Sequence, residues 1–183
     1  MRFLFQIIGL TSLLLLSCTQ HMTPVKALGP ESINFRVSEA PEWTALFQRS
    51  SGWVGADGIF SIPLNGVDSS DGAKDTATLF VFSDTVFGEI KNGSFSNGFG
   101  MINNSVAVLQ GVAPRKDQLT FHWKTTPTGR PQSVFIPQKK EGSPSDYFWL
   151  GDGFVNPAKN GDLYLFAYRI QNTTATVVAF KEV

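Results

Sequence analysis

Beyond Gly52 the hydrophobic positions come in short alternating or continuous apolar segments, a pattern that predicts strands rather than helices. The densest, residues 78–86 (Thr-Leu-Phe-Val-Phe-Ser-Asp-Thr-Val), is almost unbroken and suits a strand buried on both faces. Residues 59–64 form a second strand, with Pro63 favouring an edge position or a strand end. Residues 105–109 and 119–124 follow. In the latter Leu119, Phe121 and Trp123 alternate with polar neighbours, which turns His122 outward to solvent. Helical spacing occurs once, over residues 40–49, where Pro41 fits the first turn and Trp43, Leu46 and Phe47 share a face. Residues 68–75 and 91–100 are rich in Gly, Ser, Asn and Asp and read as loops, the second carrying the turn signal Asn92-Gly93.

The segments repeat. Trp53-Val-Gly-Ala-Asp57-Gly58-Ile-Phe is matched, one residue shorter, by Trp149-Leu-Gly-Asp152-Gly153-Phe-Val. Each is followed by a loop and an apolar strand, residues 78–82 and 162–166. An alternating strand comes next, residues 105–109 and 176–180. The first copy adds a fourth strand at 119–124. Four antiparallel strands opened by a common motif is the pattern of a β-propeller blade. The expected fold is therefore all-β: about two four-stranded blades of an incomplete β-propeller. Two blades cannot close a ring, so the chain is read as part of a longer protein.

Composition fits this reading and narrows the function. Phe (16) and Gly (17) are abundant, while 15 basic residues balance 15 acidic ones. Zero net charge gives no reason to expect a nucleic-acid partner. The N-terminus sets one positive charge, Arg2, before an apolar run over residues 3–16 that ends in Leu15-Leu16-Ser17-Cys18. The run falls short of the roughly 20 residues a membrane span takes and has the layout of a secretory signal. Its end resembles the lipobox of bacterial lipoproteins, whose cysteine is lipidated before cleavage. Cys18 is the one cysteine in the chain, so it has no internal disulfide partner. Residues 1–18 are thus a lipoprotein signal, 19–32 a flexible tether with Pro24 and Pro30, and 33–183 the partial propeller domain. The expected location is a bacterial cell or outer membrane, by lipid anchor.

No Cys/His spacing suggests zinc and no Gly-rich loop precedes a helix, so neither a metal nor a cofactor is expected. The chemistry sits in carboxylates. Asp57 and Asp152 open the innermost strands of neighbouring blades, and Asp84 ends a very apolar strand, where an unpaired carboxylate costs several kcal/mol. Two or three carboxylates in one aromatic cleft are what glycoside hydrolysis requires: one donates a proton to the leaving oxygen, another attacks or activates water. Strand order predicts that Asp57 and Asp84 meet at one rim. Trp53, Phe60, Phe87, Phe148 and Trp149 are candidates for stacking on sugar faces, and Asn103 and Asn104 for binding hydroxyls. Each aspartate before a glycine also fits plain turn capping.

These residues carry a resemblance. Trp53-Val-Gly-Ala-Asp57-Gly58, Ser61-Ile-Pro-Leu64, Leu79-Phe-Val-Phe-Ser-Asp84-Thr85 and Asn104-Ser105 look like the opening blade of a bacterial five-bladed propeller family. That family is catalogued as a domain of unknown function, and some related members are endo-D-arabinanases. Ser83 stands where the family usually has Gly. The likeness is good over about residues 50–110 and looser over 147–168. It implies a glycoside-hydrolase-like lipoprotein acting on a polysaccharide, an arabinan-like glycan among the candidates, with Asp57 and Asp84 expected in the acid/base or nucleophile roles and Asp152 as their partner or pKa tuner. A non-catalytic carbohydrate-binding propeller and a surface scaffold without a sugar site are the alternatives.

Overall fold

The computed structural model describes residues 36–69, 76–138, 146–172 and 178–182. Cys18, the 19–32 tether and residues 70–75 lie outside them. Among the described residues the regular elements fall in the unit Glu39–Val183. In chain order they are α1 (Pro41–Phe47), β1 (Ser51–Ala56), β2 (Phe60–Pro63), β3 (Thr78–Phe82), β4 (Thr85–Lys91), β5 (Ser94–Ile102), β6 (Ser105–Leu109), β7 (Leu119–His122), β8 (Lys124–Thr125), β9 (Pro131–Gln132), β10 (Asp146–Asn156), β11 (Asp162–Asn172) and β12 (Val178–Glu182). Among the described residues all strand pairings are antiparallel, and the architecture is all-β, as the pattern implied.

The four strands expected from the first repeat make one sheet, in the order β2-β3-β6-β7. β3 is its spine, and both of its faces are covered. Phe80 and Phe82 point into a core with Leu46, Trp53, Phe87, Ile102, Ala107, Leu109 and Leu119. Leu79 and Val81 point the other way, onto Ile62, Leu150 and Val155. β6 splits in the same way, Ala107 and Leu109 to the first core and Val106 and Val108 to the second. Period-two alternation with apolar residues at every position is what a doubly covered strand requires. α1 closes the first core with Leu46, and Phe47 meets Phe80 edge-on at 5.5 Å between ring centres. Trp43, expected on the same face, is exposed.

Three expectations are corrected. The run 78–86 is two strands, broken at Ser83-Asp84, so that β3 belongs to the four-stranded sheet and β4 to a second one, β1-β4-β5. The supposed loop 91–100 is a hairpin: Asn92 (φ 52°) and Gly93 (φ 76°) make a tight turn with two positive φ angles, and β5 runs back along β4. Its Ser, Asn and Gly positions are exposed throughout, so no alternation marked it as a strand. Finally, the repeat aligns differently at its end. β10 pairs along its whole length with β11, shifting register between Leu150 and Gly153, much as β1 and β2 together pair with β4 and β3 on either side of Asp57. β12 pairs with residues 169–172, as β5 does with β4 in the corresponding place. The strand at the C-terminal end thus matches β5 rather than β6.

Candidate functional site

At the break between β1 and β2 the chain meets the break between β3 and β4. The Asp57 N–H donates to the Asp84 carbonyl at 3.1 Å and the Ser83 N–H to the Asp57 carbonyl at 3.0 Å, so the two aspartates are held at one rim by reciprocal backbone bonds. Gly58 makes this possible. Its φ is +56°, and a Cβ there would lie 2.8 Å from the Ser83 Oγ. That hydroxyl is itself buried and donates to the Leu150 carbonyl at 3.0 Å, which ties the rim to β10.

A cleft of about 460 Å³ opens at this junction, lined by Asp57, Gly58, Phe60, Ser83, Trp149, Leu150 and Tyr168. Asp84 stands against its wall. Its Oδ1 accepts from the Trp149 Nε1 at 2.8 Å and from the Asn103 Nδ2 at 3.3 Å, which fixes the carboxylate's orientation. The Tyr147 ring lies 6.0 Å from that of Trp149, and burial together with the nearby Asp84 charge raises its phenol above the usual tyrosine value. Tyr147 therefore stays protonated, a hydrogen-bond donor, throughout the neutral range. Aromatic faces, one carboxylate in the cleft and a second in its wall suit a neutral, hydroxyl-rich ligand.

The sequence profile of a domain of unknown function, DUF5005, matches residues 41–183. The chain belongs to this family. Among curated proteins nothing matches. A crystal structure described as a candidate hydrolase from Bacteroides ovatus shares the fold of this DUF5005 domain at 19% identity and a TM-score of 0.56. The alignment covers 75% of this chain and 35% of that one, so the chain spans about a third of that relative's length.

Several expected contact residues of the DUF5005 domain lie elsewhere. Trp53 is not at the rim: it is 2% exposed, paired with Phe87 across the sheet and packed 4.4 Å from Phe121, with its Nε1 donating to the Ser105 Oγ. Phe87 is buried against Trp123, and Phe148 packs on the second core. Asn104 is fully buried and acts as a clamp. Its Nδ2 donates to the carbonyls of Phe135 and Phe148, and its Oδ1 accepts from the Phe135 N–H, each at 2.9 Å. Asp152 does not line the cleft. It is exposed, and its Oδ1 accepts from the next residue's N–H at 2.7 Å, the turn-capping role. Asp57, Asp84, Asn103, Phe60 and Trp149 do come together.

Sequence reasoning missed Ser83, Tyr147 and Tyr168, and the ion pair in which the Arg169 Nε donates to the Asp146 Oδ2 at 2.9 Å. Tyr168 was findable. It faces Trp149 across β10 and β11, as Phe87 faces Trp53 in the first copy. No local motif marks the ion pair.

Proposed function

We propose that the cleft binds a polysaccharide chain and that Asp57 and Asp84 act on a glycosidic bond laid across it. The observation that carries this reading is the pair of aspartates at one rim beside Phe60, Trp149 and Tyr168. One carboxyl group protonates the leaving oxygen, and the other attacks the anomeric carbon or activates a water, with loss of the aglycone. The oriented Asp84 suits the second task and the cleft-lining Asp57 the first; Asp152 has no direct part. The description of the Bacteroides ovatus relative points to the same reaction class, and an arabinan-like glycan is the first substrate to try.

The second reading is capture without cleavage. It draws on the exposure of Asp57 and on the two donors that already occupy the Asp84 Oδ1. One experiment separates the two: binding and reducing-end release measured on the same panel of plant and bacterial polysaccharides. Release from a bound glycan supports hydrolysis, binding alone supports capture, and the absence of both removes the sugar site.

We also read the β2-β3-β6-β7 sheet as one propeller blade and the β10-β11-β12 sheet as part of the next. Support comes from the antiparallel order of the first, which follows the chain apart from the β4-β5 hairpin between β3 and β6, and from its packing on β10 through Ile62, Leu79, Val81, Leu150 and Val155. The lipobox at Cys18 supports a membrane-anchored protein that presents the cleft to external glycans. Cys18→Ser is expected to abolish fatty-acid labelling and release the protein from membranes; an unlabelled parent would contradict the anchor.

A further inference from the structure

Behind Asp84 lies a second, smaller cavity of about 170 Å³, among whose walls are Asn103, Gln132, Ser133, Phe135, Asp146 and Tyr147. Two contacts relate it to the aromatic cleft. The Asp84 Oδ1 accepts one hydrogen bond from Trp149, a wall of the cleft, and one from Asn103, a wall of the pocket. Tyr147 and Trp149 lie two residues apart on β10, with their rings in contact at 67°, so they form a partition with one cavity on each side. Asp84 stands at that partition.

The pocket is built rather than incidental. The Asn103 N–H donates to the Ser133 Oγ at 3.0 Å, and the buried Asn104 side chain binds the segment around Phe135 to β10, so its two walls are fixed to each other. Among the described residues its one carboxylate is Asp146, whose side chain is only 4% exposed and is paired with Arg169. The neutralised pair leaves the described lining without net charge, which disfavours a phosphate or a uronate and favours hydroxyl groups. The protonated Tyr147 and the amides of Asn103 and Gln132 supply both donors and acceptors. The volume accommodates a single sugar ring, against several in the cleft.

We infer that this pocket is a second subsite for one neutral sugar unit, set across Asp84 from the aromatic cleft, so that a bound glycan straddles Asp84. This rests on the sugar-binding reading above and adds the path of the chain. Stacking on Phe60, Trp149 and Tyr168 tolerates many sugars. The amide and hydroxyl groups among the pocket's otherwise apolar walls select among those sugars by the positions of their hydroxyls.

The test is calorimetric titration of the protein with arabino-, xylo- and cello-oligosaccharides of one to six units. Affinity is expected to step up about tenfold once the chain is long enough to reach both cavities. Gln132→Ala should remove that step and leave the affinity of the shortest binding oligosaccharide unchanged, and Tyr147→Phe should remove the step as well, whereas Tyr168→Ala should weaken all lengths alike. Tyr147→Phe keeps the ring and the partition, and so reports on the hydroxyl alone. Equal losses at every length, or none, with either pocket variant would overturn the second subsite and leave the cleft standing. Failure of every oligosaccharide to bind the parent protein would remove the sugar site and the subsite with it.

Discussion

The two tryptophans that open the repeat have come to opposite uses. Trp53 lies in a core of Phe47, Phe82 and Phe121, and its Nε1 reaches the Ser105 hydroxyl, which lies 2.8 Å from that of Thr85. Trp149 lines the cleft and directs its Nε1 to Asp84. Substitution should separate them. Trp53→Ala is expected to cost about 3–5 kcal/mol of stability by opening a large cavity. Trp149→Phe is expected to leave the melting transition nearly unchanged but to slow glycan cleavage by about ten- to a hundredfold. A hydrogen bond to a charged group is worth about 1.5–3 kcal/mol, and each ~1.4 kcal/mol is tenfold in rate. Thermal denaturation beside rate measurements on the two variants checks both. The sequence motif could not distinguish them, because Trp-x-Gly encodes a place in the strand rather than the surface that covers it.

At the level of elements, the strongest signals were the ones that held. Residues 78–82 had to be buried on both faces, and the four strands of the first repeat had to pair, because their apolar positions leave no other way to cover them. What stayed hidden was decided by contacts distant in sequence. β5 carries exposed Ser, Asn and Gly rather than an alternating pattern, and the break at Ser83-Asp84 depends on backbone bonds to Asp57. The meeting of Asp57 and Asp84 was legible from strand order alone; the burial of Asn104 depends on the later segment around Phe135 and was not. The Asp-Gly pairs have a structural use as well. At Gly153 a Cβ would collide with the Tyr164 carbonyl and press on the Leu165 and Ile62 side chains. Gly153→Ala is therefore expected to destabilise by about 1–3 kcal/mol, lowering the midpoint of urea denaturation without changing its slope. An unchanged midpoint would mean that the second hairpin yields more readily than its packing indicates.

For the molecule as a whole, one face of the β10-β11 hairpin packs on the four-stranded sheet and the other carries Phe154, Tyr164, Phe166 and Tyr168, all exposed. Phe154 and Tyr164 stack at 5.2 Å and Phe166 is 55% exposed, so the aromatic surface is contiguous. Patches of this kind promote association when nothing covers them. Residues 33–183 produced alone are expected to self-associate with rising concentration in sedimentation velocity, and Phe166→Glu to suppress it; a clean monomer at all concentrations would show that this face is content in water. The cleft reading meets its most direct test in chemistry. Reducing-end release should be followed for the parent protein and for Asp57→Asn and Asp84→Asn on any glycan the parent binds, with affinities measured alongside. The account predicts release by the parent, a loss of about a hundredfold or more in each variant, and affinities within a few-fold of the parent's. Full hydrolytic rates in both variants would contradict the assignment of Asp57 and Asp84, and a parent that binds glycans yet releases no reducing ends would contradict catalysis altogether.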